Sequence, residues 1–295
     1  MTRLRVALLG ALGLLLALPA VAEAKESKFK PIDEFIVKPW FHLSIGPIDL
    51  GISKAVVYLW LAAVISILLV LWIVRGGLRE RPGHLQTVVE TIYGFAESNI
   101  GQATLPHSAY KRWFPYVASL FVFIWTMNMI SFIPLPVNFS EKWHGIPQFT
   151  IYAATSNLSV TLALTLVTIT ISHVEGIRAN GARAYFASWV PETGMSGIGG
   201  AALKGFLIPL EILSQLLRVI SLSVRLFANM LAGHLLIIMC LGFAILLGHL
   251  YIVAIGVPVA VAFYLFEFGL VASLQAYIFA MLSGIYIGGA MEPHH

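Results

Sequence analysis

Residues 55–74 form a run of 20 positions without a charge, held between Lys54 and Arg75. At about 1.5 Å per residue, a helix of that length covers about 30 Å, one hydrocarbon core. Further apolar stretches follow at about 113–133, 151–172, 205–247 and 251–290. Pro134 and Pro136 stop the one at 113–133. Residues 84–100 carry a different pattern. Leu85, Val88, Val89, Ile92, Phe95 and Ala96 fall at helical spacing, with Gln86, Thr87, Glu90, Glu97 and Ser98 elsewhere. Such a segment is too polar to span. It reads as an amphipathic helix on the cytoplasmic interface, or as one packed on a soluble partner domain. The pattern predicts an all-α membrane protein with five transmembrane helices and one interfacial amphipathic helix.

The stretch at 151–172 is unusually hydroxylic. Asn157, Thr161, Thr165, Thr168 and Ser172 fall within about 80° of arc on a helix. A polar stripe on a membrane helix faces protein or water, for interhelix hydrogen bonds or to line a proton path. The last two stretches are longer than a span needs. As single helices, 210–247 would reach about 57 Å and 259–287 about 44 Å. Either each breaks, or both are steeply tilted.

The N-terminus reads differently again. Residues 1–24 have Arg3 and Arg5, then an apolar run, then Ala22-Glu23-Ala24. That is the form of a signal peptide with its cleavage site; the alternative is an uncleaved first helix. Residues 25–53 are mixed and polar and read as an extracytoplasmic segment, leaving 54–295 as a single membrane domain.

Composition agrees with the pattern. The chain is 59% hydrophobic and 11% charged, with mean hydropathy +0.87. A soluble domain is about 25% charged. The net charge of +4 sits in loops and reports orientation rather than nucleic-acid binding. Arg75, Arg79, Arg81, Lys111, Arg112, Arg178, Arg183 and Lys204 mark one side; Lys38, Lys54 and Lys142 mark the other. The bias predicts an outside N-terminus and a cytoplasmic C-terminus; the membrane expected is a bacterial inner membrane. There is no Walker A motif, HExxH, nucleophile elbow or CxxC, so no cofactor, metal or catalytic site of its own is expected.

One charge stands out. Between Arg218 and Glu267 the only formal charge is Arg225. A guanidinium deep in a membrane costs about 2.5–3.5 kcal/mol on insertion scales, and it cannot shed its proton. Glu211, Ser214, Arg218, Ser221, Arg225 and Asn229 cluster within about 40° of Arg225 on a helix, while His234 points about 180° away. That helix therefore has two polar faces.

RLFANMLAGH, with SLQAYIFAMLSGIYI after it, resembles the a subunit of the rotary F-type ATP synthase. TMNMISFIP is similar to a further segment of that family. The resemblance implies a stator subunit with two proton half-channels that meets a ring of c subunits. It selects tilt for the last two helices, as a hairpin against that ring. It implies Arg225 as the essential stator charge, an inlet path through Asn229, His234, Glu267 and Gln275, and an outlet path through Glu211 and Ser214 with Arg218 nearby. For Asn229, Ser214 and Gln275, interhelix hydrogen bonding is the alternative; for Arg225, it is an ion pair with Glu267 or Glu211. The partners implied are the c ring, the b subunits of the peripheral stalk, the rest of the synthase and the bilayer, with no nucleic acid. Glu267 stands eight residues before Gln275 where the resemblance leads to seven, an offset of about 100° on a plain α-helix. A stand-alone proton-coupled secondary transporter is the alternative function, although no inverted repeat supports it.

Overall fold

The computed structural model describes residues 39–45, 48–76, 83–133, 135–143, 146–150, 152–189, 198–247 and 250–292. The signal peptide expected over 1–24 lies outside them. Two hairpins depart from the all-α expectation. Strand β1 (Pro39–Ile45) pairs antiparallel with β2 (Ile48–Ser53), and β3 (Leu135–Trp143) with β4 (Ile146–Thr150). In the first, Phe41 is opposite Ile52, Leu43 opposite Leu50 and Ile45 opposite Ile48. The period-two alternation of apolar and polar positions that builds a strand is present in both halves.

The rest is helical. Helix α1 (Lys54–Gly76) covers the expected 55–74 span. Helix α2 (His84–Ala96) runs on into a π turn over Glu97–Gly101. Its apolar side is covered towards its end, where Ala96 and Ile100 are buried among Phe114, Phe121 and Phe279 and Phe95 packs by Phe121 and Tyr277, while Val88 stays exposed. Helix α3 (His107–Ile130) starts six residues before the expected 113, since Pro106 in extended conformation allows a helix to begin after it.

Helix α4 (Leu158–Asn180) corrects the expected 151–172 at both ends. Asn157 is its N-cap: its side chain accepts a hydrogen bond from the Ser159 amide at 2.9 Å. Before it lies a short 3₁₀ turn, Ala154–Ser156, buried like Tyr152 and Ala153. At the far end the helix continues eight residues beyond the expected 172, turns at Gly181 (φ 79°), and the chain re-forms a helix as α5 (Ala182–Ala187). The hydroxyl stripe faces protein: Thr161, Thr165, Thr168 and Ser172 are all buried. Each hydroxyl donates to a carbonyl of its own helix, and Thr168 also meets the Tyr116 hydroxyl at 3.1 Å.

Helix α6 (Ile198–Leu247) is continuous over 50 residues. Helix α7 (Leu250–Phe266) passes through a π turn (Glu267–Val271) into α8 (Ala272–Met291). Among the described residues four helical stretches are long and apolar enough to cross a membrane: His107–Ile130, Leu158–Asn180, Gly205–Phe243 and Ile252–Met291, with Lys54–Leu69 a shorter apolar one. The chain divides into two compact units, one holding Ala232–Glu267 and the other Val37–Leu231 with Phe268–His295. In the larger unit α8 is central. Phe279, Ala280 and Ile287 pack with Phe114, Val117 and Leu120 of α3 and with Leu222 and Leu226 of α6. Asn128, fully buried, donates to the Ala272 carbonyl at 3.1 Å and accepts from Thr155 at 3.0 Å, tying α3 to the start of α8. Burying an amide inside a bundle requires such partners.

Candidate functional site

Helix α6 carries the candidate residues, and their surroundings differ along it. In the larger unit, Leu222, Leu226 and Met230 turn one side of α6 into the core. Arg225 lies off that side and is exposed, flanked by exposed Val224 and Ser221. Among the described residues Arg225 makes no hydrogen bond or ion pair. Asn229, one turn on, is half-buried, and Gln275 of α8 is buried.

Towards the start of α6, Glu211, Gln215 and Arg218 line a cavity of about 510 Å³. Ser172 and His173 of α4 and Tyr286 and Gly289 of α8 form other walls, and Tyr185 and Trp189 close it from α5 and the residues after it. Gln215 donates to the Glu211 carboxylate at 2.8 Å, and the Arg218 guanidinium lies over the Tyr286 ring at 5.6 Å. Ser214 is half-buried beside them but does not line the cavity. The sequence reading found Glu211 and Arg218 and missed Gln215, His173, Tyr185 and Tyr286. Gln215 sits about 80° from Arg225 around the helix, at the margin of the stripe already drawn. Tyr185 arrives by a tertiary fold-back that no periodicity marks.

In the smaller unit, His234 and Glu267 meet. Both are buried, with His234 Nδ1 to Glu267 Oε1 at 3.3 Å. The preceding residue makes this possible: a Cβ at Gly233 would collide with the Glu267 carboxylate. Glu267 opens the π turn, which lodges one extra residue in a helix. One residue is also what separates its place from the spacing the resemblance leads to. The π turn thus holds one extra residue between Glu267 and the rest of the helix, and the His234 and Glu267 side chains are together.

A buried acid that the sequence reading passed over lies elsewhere in the larger unit. Glu175 of α4 takes Arg178 at 2.9 Å and Arg112 at 3.3 Å, with the Trp113 indole at 3.4 Å. Arg112 and Arg178 had been counted only as flanking charges. A buried carboxylate needs such partners, and this one joins α3 to α4.

The sequence profile of the ATP synthase A chain family matches residues 56–288. An ATP synthase subunit a of Rubrobacter xylanophilus is 35% identical over 254 residues, covering 85% of this chain and 88% of the relative. One of Bradyrhizobium diazoefficiens is 36% identical over 280 residues, covering 91% of this chain and all of the relative. One of Myxococcus xanthus is 36% identical over 256 residues, covering 85% and 77%. With its apolar helices, the chain is a multi-pass membrane protein, and it belongs to the ATP synthase subunit a family.

Proposed function

We propose that this chain is the stator subunit of the membrane sector of a rotary F-type ATP synthase, coupling proton flow to rotation of a c ring. The observation that carries the reading is Arg225. A permanently charged side chain stands exposed on α6 and has no counter-charge among the described residues. In hydrocarbon that is costly, and a carboxylate supplied by a partner removes the cost. The c ring provides such carboxylates in turn.

Arg225 attracts an arriving carboxyl group and favours its ionised form, so the proton is released. Because arginine stays charged, it also bars a proton from passing directly between the two half-channels. Along α6, Arg225 comes after Glu211 and Arg218 and before His234. The inlet path runs through His234 and Glu267 with Asn229 and Gln275. The outlet path runs through Glu211 and Arg218 with Ser214 at its margin. Five spans, a tilted hairpin of the last two helices, an outside N-terminus after signal cleavage and a cytoplasmic C-terminus complete the arrangement. The b subunits and the rest of the synthase are its further partners.

The test is ATP-driven proton pumping in inverted vesicles carrying the assembled complex. Arg225→Ala abolishes pumping, and Arg225→Lys is nearly as damaging because lysine can lose its proton when buried. Pumping at the wild-type rate in an assembled Arg225→Ala complex would overturn the reading.

A further inference from the structure

The cavity bounded by Glu211 and Arg218 has an opposite wall to which no role has been given, and that wall is built with some care. Helix α4 runs to Asn180, the chain reverses at Gly181 with φ 79°, and α5 brings Tyr185 back over α4. Tyr185 is buried there, its ring lying where any Cβ at Gly176 would be. Its hydroxyl reaches Nδ1 of His173 at 2.6 Å. Trp189 flanks both rings, with centroids 5.8 Å from His173 and 5.9 Å from Tyr185. His173 itself is half-buried and lines the cavity. The titratable and charged groups that share the cavity with it are Tyr185, Glu211, Arg218 and Tyr286.

An imidazole held by one nitrogen at the edge of a cavity large enough for water has the form of a proton-transfer group. Burial pushes the Tyr185 hydroxyl above the usual tyrosine range, so it stays a neutral phenol. Its oxygen can accept from Nδ1–H, which leaves the Nε2 lone pair for the cavity.

We propose that His173, held in place by Tyr185, transfers protons within this cavity, taking one from water at Nε2 and returning it to water from the same atom. This rests on the reading of the Glu211 side as the outlet path. The charge balances at each stage: neutral imidazole plus a proton gives imidazolium, and release restores the neutral ring. The Glu211 carboxylate offsets the transient positive charge and Arg218 limits its lifetime, so the ring does not trap the proton. Tyr185 is a positioning residue that keeps the ring orientation through both states.

The experiment uses the complete complex in inverted vesicles and follows ATP-driven acidification, with complex assembly checked by ATP hydrolysis on the membrane. Two substitutions are compared. His173→Ala opens room for a small base, and His173→Gln keeps a polar contact for Tyr185 but carries no proton. Both are expected to lower pumping about tenfold, short of the roughly 10²-fold or more of a positioned acid–base group because water in the cavity carries part of the flux. Added imidazole is expected to restore much of the His173→Ala loss and none of the loss in Arg225→Ala. Wild-type pumping in His173→Gln overturns the proposal, and so does a loss in His173→Ala that imidazole does not relieve, which would give His173 a structural part only. If Arg225→Ala instead pumps normally, the functional reading fails, and that outcome is separate from either of these.

Discussion

His234 and Glu267 are buried against each other, whereas Glu211 and Arg218 line a cavity of about 510 Å³. Both regions use α6, and both bring acids and bases together. In the closed one, an imidazole nitrogen touches a carboxylate oxygen and a glycine is needed to admit it. A proton moves there only between atoms already in contact, so small displacements are costly. In the open one, side chains stand around a volume large enough for water. Water can bridge groups that do not touch, and it can replace a lost polar atom at little cost. The closed region therefore depends on placement, and the open one depends on which groups can carry a proton.

The largest break should come at the closed pair. His234→Ala and Glu267→Ala should each lower proton pumping about 10²-fold, within the range for a positioned acid–base group. The exchanged pair, His234→Glu with Glu267→His, should recover much of it. If that double variant is only as good as the product of the two singles, the residues act independently. Next comes Gly233→Ala, which changes no titratable group. Its added methyl must displace the Glu267 carboxylate, so pumping should fall towards that of Glu267→Ala. A Gly233→Ala complex that pumps normally would show that contact is unimportant and remove the contrast.

Smaller effects are expected in the open region. Gln215→Ala removes the donor to Glu211, and water can take its place, so pumping should fall only severalfold. A loss as great as in Gly233→Ala would mean the cavity is also placement-limited. Smallest of all is a change outside both regions. Asn157→Ala removes the cap of α4 and should cost about 1 kcal/mol of stability. It should lower the unfolding midpoint in detergent and leave pumping unchanged.

How far these regions were legible depends on what encodes them. Arg225, His234 and Glu267 stood out because a polar atom within an apolar run is conspicuous whatever the fold. The helices were legible for the same reason, from lengths set by hydrocarbon thickness. The hairpins were not, although Phe41, Leu43 and Ile45 alternate with His42 and Ser44. Alternation over so few residues beside an apolar run is easily taken for a connecting segment. The start of α4 was misread because Tyr152 and Ala153 are as apolar as a span, and only the Asn157 cap separates them from the helix. His173 and Tyr185 meet through folding back at Gly181, Tyr286 joins their cavity from α8, and Glu175 has partners on two helices. Such associations are tertiary and leave no periodicity. The π turn at Glu267 is a third kind: it alters the register count itself, so helical-wheel arithmetic past it is off by a residue.

The central place of α8 has a consequence for biosynthesis. Phe114, Val117 and Leu120 of α3 find Phe279, Ala280 and Ile287 only after more than a hundred further residues have been made. Asn180 likewise donates to the carbonyls of Ala290 and Met291, at the end of that helix. Until then the faces of the earlier helices that meet α8 lack that partner. Synthesis of α8 is thus the step that completes their packing.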